Sequence, residues 1–238
     1  MDTLLTSPSY KNHRFPPEII SHAVWLYHRF CLSFRDVEEL LASRGVVISY
    51  EEVRQWRLKF GPEFAKKLRY RQGRPGDTWH LDEVVVTIGG KHHYLWRAVD
   101  QEGEVLDILV QKRLDTRAAK RFFRILLKRL RYVSRRLVTD KLGSYAAARR
   151  ELMPSVFHCQ DKRANNRAEV SHQPTRQQER QMRRFESPGY AQRFLSVHSA
   201  INNLLRLGRH LMRALHYRLF RDRAFATWRE ATCAQGAE

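Results

Sequence analysis

The stretch TWHLDEVVVTIGGKHHYLWRAVDQEGEVLDILV (78–110) decides the fold of this 238-residue chain. It contains three runs rich in β-branched and aromatic residues: TWHLDEVVVTI (78–88), KHHYLWRAVD (91–100) and EVLDILV (104–110). Gly89-Gly90 and the tripeptide 101–103 separate the runs, and short connections that contain glycine are typical of β-hairpins. The sequence therefore predicts three consecutive antiparallel strands.

The residues after these runs alternate between helix and strand signals. Apolar residues recur at three- and four-residue steps through Thr116–Arg131, which predicts a helix with one buried face. RRLVTD (135–140) predicts a short strand, SYAAARREL (144–152) a helix, and 156–159 a further strand. The stretch 191–220 predicts one long amphipathic helix. Hairpin-linked strands followed by alternating helices and strands indicate an α/β fold with a mixed sheet.

The first 68 residues predict a domain made of helices. Apolar spacing places helices over 18–30, 34–45 and 50–60, and the capping box Ser49-x-x-Glu52 opens the third. A short link joins the last two helices, as in a helix-turn-helix, whose final helix enters the DNA major groove. The candidate DNA contacts on that helix are Arg54, Gln55, Arg57 and Lys59. A helical packing domain that does not bind DNA is the alternative.

A polar and basic stretch, RYRQGRPGDT (69–78), follows these helices. Its glycines and proline are typical of a linker. The predicted organisation is therefore a helix-turn-helix domain (1–68), a linker (69–77), an α/β core (78–190) and a C-terminal helical region (191–238).

The chain is strongly basic, with 44 Lys and Arg against 25 Asp and Glu and a formal charge of +19. The excess is spread as +5 over 1–76, +7 over 77–170 and +7 over 171–238. A distributed positive surface predicts double-stranded DNA as the partner, ahead of a membrane surface or a small-molecule substrate.

Other features of the sequence bear on where the protein works. The longest apolar run, Ala23–Tyr27, is too short to span a membrane, and the N-terminus does not resemble a secretory signal. Cys31, Cys159 and Cys233 fit no disulfide framework or zinc site. We therefore expect a cytoplasmic protein.

The acidic residues are the most specific candidates for chemistry. Asp82 lies in the first strand and Asp140 ends the fourth, so their side chains meet if those strands are neighbours. Glu83 follows Asp82 directly, and it faces the other side of the sheet because successive strand residues alternate. Glu169 lies near the start of a later helix, where His172 and Arg176 share its face. Each acid taken singly is more ordinary as a cap or an ion-pair partner.

Three carboxylates within about 4–6 Å of one another repel, and divalent cations remove that repulsion. Oxygen-only ligands favour two Mg²⁺ or Mn²⁺ ions over zinc, and such a pair supports phosphodiester chemistry. His80 shares the face of Asp82, but imidazole suits zinc better, so a packing role is the stronger hypothesis. His92 and His93 follow a hairpin turn, and we expect both to be exposed to solvent.

Several motifs together resemble a known family, the DDE transposases of the insertion-sequence-six family. These motifs are WHLDE (79–83), YLWRAVD (94–100), VTDKLGSY (138–145), NNRAE-x-SHQPTR (165–176) and ERQMRRFESPGYAQRFLSVH (179–198). The resemblance covers nearly the whole chain, including the helix-turn-helix. The segment between Asp140 and Glu169 is shorter than in many members, and we expect a shortened loop around 152–164.

The resemblance implies an RNase H-like catalytic core whose acid triad falls on Asp82, Asp140 and Glu169. It implies that these residues hold the two ions, and that Arg176 is the family's basic residue seven positions after the glutamate. Arg176 and His172 are expected to contact phosphates of the DNA. Ser144 and Tyr145 are expected to start and pack a helix and not to act as nucleophiles.

The implied function is binding of the terminal inverted repeats of an insertion sequence, DNA cleavage and strand transfer. An RNase H-like nuclease without strand transfer and a non-catalytic helix-turn-helix regulator are the alternatives. Transposition joins two ends, so a homodimer or higher oligomer associated with the bacterial nucleoid is expected. An apolar stripe in the C-terminal region supplies either an interface or core: Leu195, Ile201, Leu204, Leu205, Leu211 and Leu215.

Overall fold

The structure is a computed structural model, and it describes residues 8–30, 32–161, 163–173, 176–177, 185–207 and 212–232. The chain divides into two compact units. The first unit combines Met1–Gly73 with Ser196–Glu238, and the second is Arg74–Leu195. The predicted division into four regions stays a prediction.

Within the described residues, the second unit is built on a five-stranded mixed sheet. Its strands are β1 (Thr78–Ile88), β2 (Lys91–Asp100), β3 (Val105–Gln111), β4 (Arg136–Thr139) and β5 (Phe157–Gln160). The strand order is β3-β2-β1-β4-β5. Strand β2 runs antiparallel to both β1 and β3, whereas β4 is parallel to β1 and β5 is parallel to β4. This arrangement confirms the predicted α/β fold with an RNase H-like mixed sheet and flanking helices.

The first hairpin forms as the sequence predicts. Gly89 and Gly90 connect β1 to β2, and both have positive φ angles, 55° and 75°. A two-residue hairpin turn requires that backbone region, which glycine adopts without steric cost. The turn sets a register in which Asp82 lies opposite Arg97 and Val86 lies opposite His93.

Two helices cover one face of the sheet, α5 (Thr116–Leu130) and α6 (Gly143–Leu152). The side chain of Asp115 caps α5 by accepting a hydrogen bond from the Ala118 backbone N–H at 2.7 Å. The core beneath these helices contains large buried side chains from both strands and helices: Trp79, Leu81, Trp96, Phe122, Phe123, Leu126 and Tyr145. Burying each of these stabilises the fold by roughly 1.5–3 kcal/mol.

A short helix, α7 (Asn166–Ser171), contacts β1 and β2. Arg97 on β2 donates a hydrogen bond to the last residue of α7. Its neighbour Trp96 lies in the core under α5. Since successive strand residues point to opposite faces, α7 lies on the face opposite to α5 and α6.

The first unit contains α1 (Pro17–Arg29), α2 (Phe34–Ala42), α3 (Tyr50–Lys59) and α4 (Gly61–Arg71). Capping boxes open α2 at Ser33 and Asp36 and α3 at Ser49 and Glu52. The helix α4 was not predicted, because Gly61 and Pro62 directly follow the helix expected over 50–60 and glycine and proline often end a helix. Proline is also tolerated in the first turn of a helix, where its missing N–H has no partner to lose, and Pro62 takes that place here.

The single helix expected over 191–220 is two helices, α8 (Pro188–Leu204) and α9 (Ala214–Thr232). Leu205 and Arg206 close α8 with backbone bonds to Asn202 and Asn203, three residues back, which tightens and ends the helix. The apolar stripe is correspondingly divided. Leu195 and Ile201 are buried, Leu215 is 73% exposed, and Leu211 lies outside the described residues.

In the part of the chain that the structure describes, no helix has both the length and the apolar character needed to cross a membrane.

Candidate active site

The first two acids are brought together by the pairing of β1 with β4. The parallel register places Thr78 beside Arg136 and His80 beside Val138, so the same register continued by two residues places Asp82 beside Asp140. Asp140 follows the last residue of β4, and its Oδ1 accepts a hydrogen bond from the Leu142 backbone N–H at 3.0 Å. This bond shapes the turn that leads into α6.

The third acid, Glu169, lies on α7, and both ends of that helix are bonded to the sheet. The buried Asn165 precedes α7, and its Nδ2 donates to the Leu81 carbonyl of β1 at 2.7 Å. Arg97 of β2 donates from Nη1 to the carbonyl of Ser171, the last residue of the helix. These two bonds hold Glu169 over the strand that carries Asp82.

The acids act on one another through their charge. The pKa of Asp82 is raised from 3.8 to about 6, first by burial and then by the negative charges of Asp140 and Glu169. The positive charge of Arg176 opposes this rise, so Arg176 also lies within electrostatic reach. Within the described ranges, no three His, Cys, Asp or Glu side chains converge into a ready-made metal cluster.

The donor chemistry nevertheless fits a divalent cation. Three carboxylates offer only oxygen ligands, which is the set that Mg²⁺ and Mn²⁺ prefer. The mutual repulsion that raises the pKa of Asp82 is the interaction that a bound cation removes. Asp82, Asp140 and Glu169 are therefore the residues that could hold such an ion.

A fourth carboxylate, Glu83, lies behind this group on the other face of the sheet. It accepts a 2.6 Å hydrogen bond at Oε2 from the hydroxyl of Tyr145, a fully buried residue of α6. Burial raises the pKa of Glu83 to about 7, the Tyr145 bond opposes that rise, and the charges of Asp140 and Asp82 add to it. Burial first, and then Glu83, raise the pKa of Tyr145 well above 10.

Glu83 and Tyr145 were not predicted to take part in the site, although they lie inside the motifs WHLDE and VTDKLGSY. The pair links β1 to α6, and it lies next to the segments that carry Asp82 and Asp140.

His172 lies against Asp82 and away from solvent. Its side chain is 1% exposed, and its Nε2 is 3.5 Å from Asp82 Oδ2. Burial and then the charges of Arg97 and Arg176 hold the pKa of His172 well below 6.5, so the ring is neutral at pH 7. A buried neutral ring does not favour the phosphate contact that was expected for His172.

His80 is also buried, and its pKa is lowered, mainly by burial and then by the charges of Arg167 and Arg136. The backbone of Ala164 hydrogen-bonds the His80 side chain. This placement is consistent with the packing role expected for His80.

On α3 in the first unit, the structure separates the candidate DNA contacts into two groups. Arg54, Gln55 and Lys59 are exposed, and Arg54 and Gln55 both hydrogen-bond Glu51. Arg57 is 8% exposed, and its guanidinium lies over the rings of Tyr27 and Phe34 at 5.6 Å and 5.1 Å.

Arg57 therefore packs inside the helical unit, and the expectation that it contacts DNA is corrected. The physical reason is its position on the helix. Val53, Trp56 and Phe60 are buried, and Arg57 shares their stripe because three- and four-residue steps return to one helix face.

The chain is similar to known proteins over most of its length. A family model described as "DDE domain" matches residues 76–207, more than half of the chain. The transposase for insertion sequence element IS257 in transposon Tn4003 of Staphylococcus aureus is 30% identical over 168 residues, covering 68% of this chain and 75% of that protein. The transposase for insertion sequence-like element IS431mec of Staphylococcus aureus strain Mu50 has the same identity and coverage.

Solved structures of viral integrases are more distantly similar. The catalytic core domain of HTLV-2 integrase, solved in complex with magnesium, has a TM-score of 0.42 and 13% identity, and the match covers 61% of this chain and 94% of that one. The catalytic core domain of BIV integrase has a TM-score of 0.38 and 13% identity, covering 64% of this chain and 99% of that one.

The matching domain spans the sheet and the segments that carry the three acids, and the two staphylococcal relatives are transposases. The chain belongs to the DDE transposases of the insertion-sequence-six family.

Proposed function

We propose that this transposase binds the terminal inverted repeats of its insertion sequence, cuts the DNA at those ends and joins the freed 3′ ends to a target. Asp82, Asp140 and Glu169 are the catalytic acids in this proposal. The observation that carries it is the pKa of Asp82, which is raised to about 6 in part by the other two acids. Acids that perturb one another in this way are typical of catalytic sites.

Two divalent cations, Mg²⁺ or Mn²⁺, would be held by these three carboxylates. When bound, such ions lower the pKa of an attacking water or hydroxyl and stabilise the leaving oxygen of a phosphodiester. The protein's own contribution is to hold the three carboxyl groups close together. The bonds of Asn165 and Arg97 to the two ends of α7 keep Glu169 near Asp82 during the reaction.

Arg176 and His172 serve the site in different ways. Arg176 is exposed and within electrostatic reach of Asp82, so its guanidinium is placed to bind the phosphate that is cut. His172 stays neutral beside Asp82 and restricts its rotation. It does not add positive charge to the site.

Replacing Asn165 with alanine tests whether α7 must be tied to β1. We expect Asn165→Ala to slow end cleavage by roughly 10- to 100-fold, because a displacement of about 1 Å between catalytic groups has effects of that size. Gel electrophoresis of a labelled end duplex measures the rate. Asn166→Ala is the matched control, since the neighbouring side chain is exposed. Equal rates for the two variants would contradict the assignment.

The N-terminal helices are proposed to recognise the terminal repeats through α3. Arg54→Gln is expected to weaken binding of end DNA about tenfold, since a good contact to a base edge discriminates by about 1–3 kcal/mol. Lys66→Gln, an exposed change of the same charge on α4, should have a smaller effect. Fluorescence anisotropy with end and scrambled duplexes measures both. If Arg54→Gln distinguishes end duplexes from scrambled duplexes as well as wild type does, Arg54 does not recognise the sequence of the repeats.

A strand-transfer reaction tests the whole proposal. The purified full chain is incubated with duplexes carrying the element's ends, a supercoiled target plasmid and Mg²⁺. Joined products with new 3′ linkages support a transposase, whereas cut ends without joining indicate a nuclease. Binding without cutting indicates a DNA-binding regulator.

The joining of two ends requires at least a dimer to hold both, and cyclic dimers are the commonest assembly. We propose a homodimer or higher oligomer that acts on DNA in the bacterial cytoplasm, at the nucleoid. Light scattering with and without end DNA measures the assembly.

A further inference from the structure

A cavity of about 550 Å³ lies in the second unit, beside the end of β3 and the start of α5. We call it the basic cavity, and its charged or titratable lining residues are His93, Lys112, Arg113, Asp115, Arg117 and Arg121. The acids and Arg176 of the active site do not line it. It is therefore a separate feature of the fold.

The charge of the basic cavity is strongly positive. The four lysine and arginine residues are all exposed, and within the described ranges none of them forms an ion pair. The one acid in the lining, Asp115, is engaged as the cap of α5, where it accepts the Ala118 N–H at 2.7 Å. The cavity also lies at the N-terminus of a 15-residue helix, which favours negative charge.

His93 supplies an independent sign that the cavity takes a ligand. The residue is 3% exposed, which corrects the expectation that both His92 and His93 are exposed. Its Nδ1 bonds the Lys91 carbonyl at 3.1 Å, and among the described residues its buried Nε2 has no hydrogen-bond partner. A buried polar atom without a partner is costly, and a ligand in the cavity would provide one.

The position of the cavity relative to Asp82 identifies the ligand. Asp82 is paired with Arg97, and His93 lies four residues from Arg97 on the same strand, so the side chains of Asp82 and His93 are on one face of the sheet. Arg117 and Arg121 line the same cavity from α5, which packs on the other face. Strand spacings of 3.3 Å along and 4.8 Å across place His93 about 14 Å from Asp82. B-DNA rises 3.4 Å per nucleotide, so this distance corresponds to about four nucleotides.

We propose that the basic cavity binds a backbone phosphate of the DNA strand that is cut, about three to five nucleotides from the cleaved bond. This inference rests on the proposed function, because it assumes that the strand runs through the acidic site. Arg117 and Arg121 neutralise the phosphate, and the Nε2 of His93, which has no partner among the described residues, lies against it. The contact would fix the register of the strand and carry no base specificity.

The test compares two double variants with equal loss of charge on the same helix. Arg117→Gln/Arg121→Gln removes cations of the basic cavity, whereas Lys128→Gln/Arg131→Gln removes exposed cations at the other end of α5. Anisotropy with a fluorescein-labelled 30-bp end duplex gives Kd as a function of NaCl. We expect the cavity variant to bind with about a tenfold higher Kd and a salt slope lower by about 1, since each phosphate contact contributes about 0.9.

Neutral methylphosphonates placed singly along the cut strand locate the contact. In wild type, one substitution three to five nucleotides from the cleaved bond should weaken binding, and it should have no further effect in Arg117→Gln/Arg121→Gln. The same loss in both proteins would overturn the proposal, as would equal affinity of the two double variants. If the double variant does not fold by circular dichroism, the single variant Arg117→Gln takes its place.

NMR of ¹⁵N-histidine-labelled protein separates the DNA backbone from free phosphate. The signal lost in His93→Gln should shift with the duplex. A shift with 20 mM inorganic phosphate but none with the duplex would overturn the DNA assignment. Strand transfer by wild type is measured separately, so failure of the proposed function appears as absent cutting and joining, whereas failure of the cavity proposal appears only in binding.

Discussion

Asp82→Asn, Asp140→Asn and Glu169→Gln are each expected to lower end cleavage and strand transfer by roughly a thousandfold in Mg²⁺, the effect of losing a group that stabilises charge in the transition state. Each substitution keeps the size and removes one negative charge, so ion binding is lost and the fold is kept. Asp140 bonds the turn before α6, and Glu169 is exposed on α7. Rates are measured with a labelled end duplex and a target plasmid.

The control is Glu102→Gln, which removes an exposed carboxylate in the turn between β2 and β3. This variant should cut and join at the wild-type rate. All four proteins should bind end DNA, because the acids repel phosphates in the absence of metal. Cleavage that survives Asp140→Asn would contradict the mechanism.

In EDTA, Asp82→Asn is expected to make the protein more stable than wild type by about 1–3 kcal/mol at pH 8. Asp82 has a pKa of about 6 in the folded chain and 3.8 as its ordinary value, and a difference of that size corresponds to roughly 3 kcal/mol. The side chain is 18% exposed, so solvent screens little of this interaction. The gain is smaller than the full value because the amide of asparagine must also be buried.

The sign of the pH dependence follows from the same difference. The folded chain holds the Asp82 proton more tightly than the unfolded chain. The contribution of Asp82 to the free energy of unfolding is therefore greatest below about pH 4, and it falls as pH rises through 6. Glu83 has a pKa of about 7, so it adds a further loss of stability that extends to higher pH. Urea unfolding followed by the intrinsic fluorescence of the five tryptophans, of which Trp79 and Trp96 are buried in the second unit, measures the profile.

Two comparisons make this prediction decisive. Glu102→Gln should keep the wild-type pH profile, since its carboxylate is exposed. Mg²⁺ should stabilise wild type and have little effect on Asp82→Asn, because a ligand stabilises the state that binds it. An Asp82→Asn protein that is less stable than wild type in EDTA, or that responds equally to Mg²⁺, would contradict the role of Asp82.

Most of the core fold could be predicted from local signals. The runs 78–88 and 91–100 match β1 and β2 residue for residue, because the glycine turn and the β-rich composition are local. The break within 191–220 was not predicted, since an apolar period of 3.6 continues whether or not the backbone is interrupted. α4 was missed for a related reason: a proline can either end a helix or begin one.

The acids could be proposed from the sequence because the order of the strands decides which acidic side chains meet. The hairpins and the parallel fourth strand restrict the possible strand orders. Arg57 and His93 were assigned to the surface because a polar residue is exposed more often than buried. Their burial depends on which neighbours cover them. The rings of Tyr27 and Phe34 lie beside Arg57, and that packing joins residues distant along the chain.

The sequence by itself determined the strands and the basic character of the chain, because both depend on residue type and on spacing within a few residues. The three proposed acids came from their predicted elements and from the family resemblance. Only the tertiary structure decided how those acids are held and what surrounds them. The ties of Asn165 and Arg97, the Glu83–Tyr145 bond and the basic cavity each join segments more than ten residues apart. Such contacts arise when the sheet assembles, and assembly also raises the pKa of Asp82, first by burying it and then by bringing Asp140 and Glu169 near it.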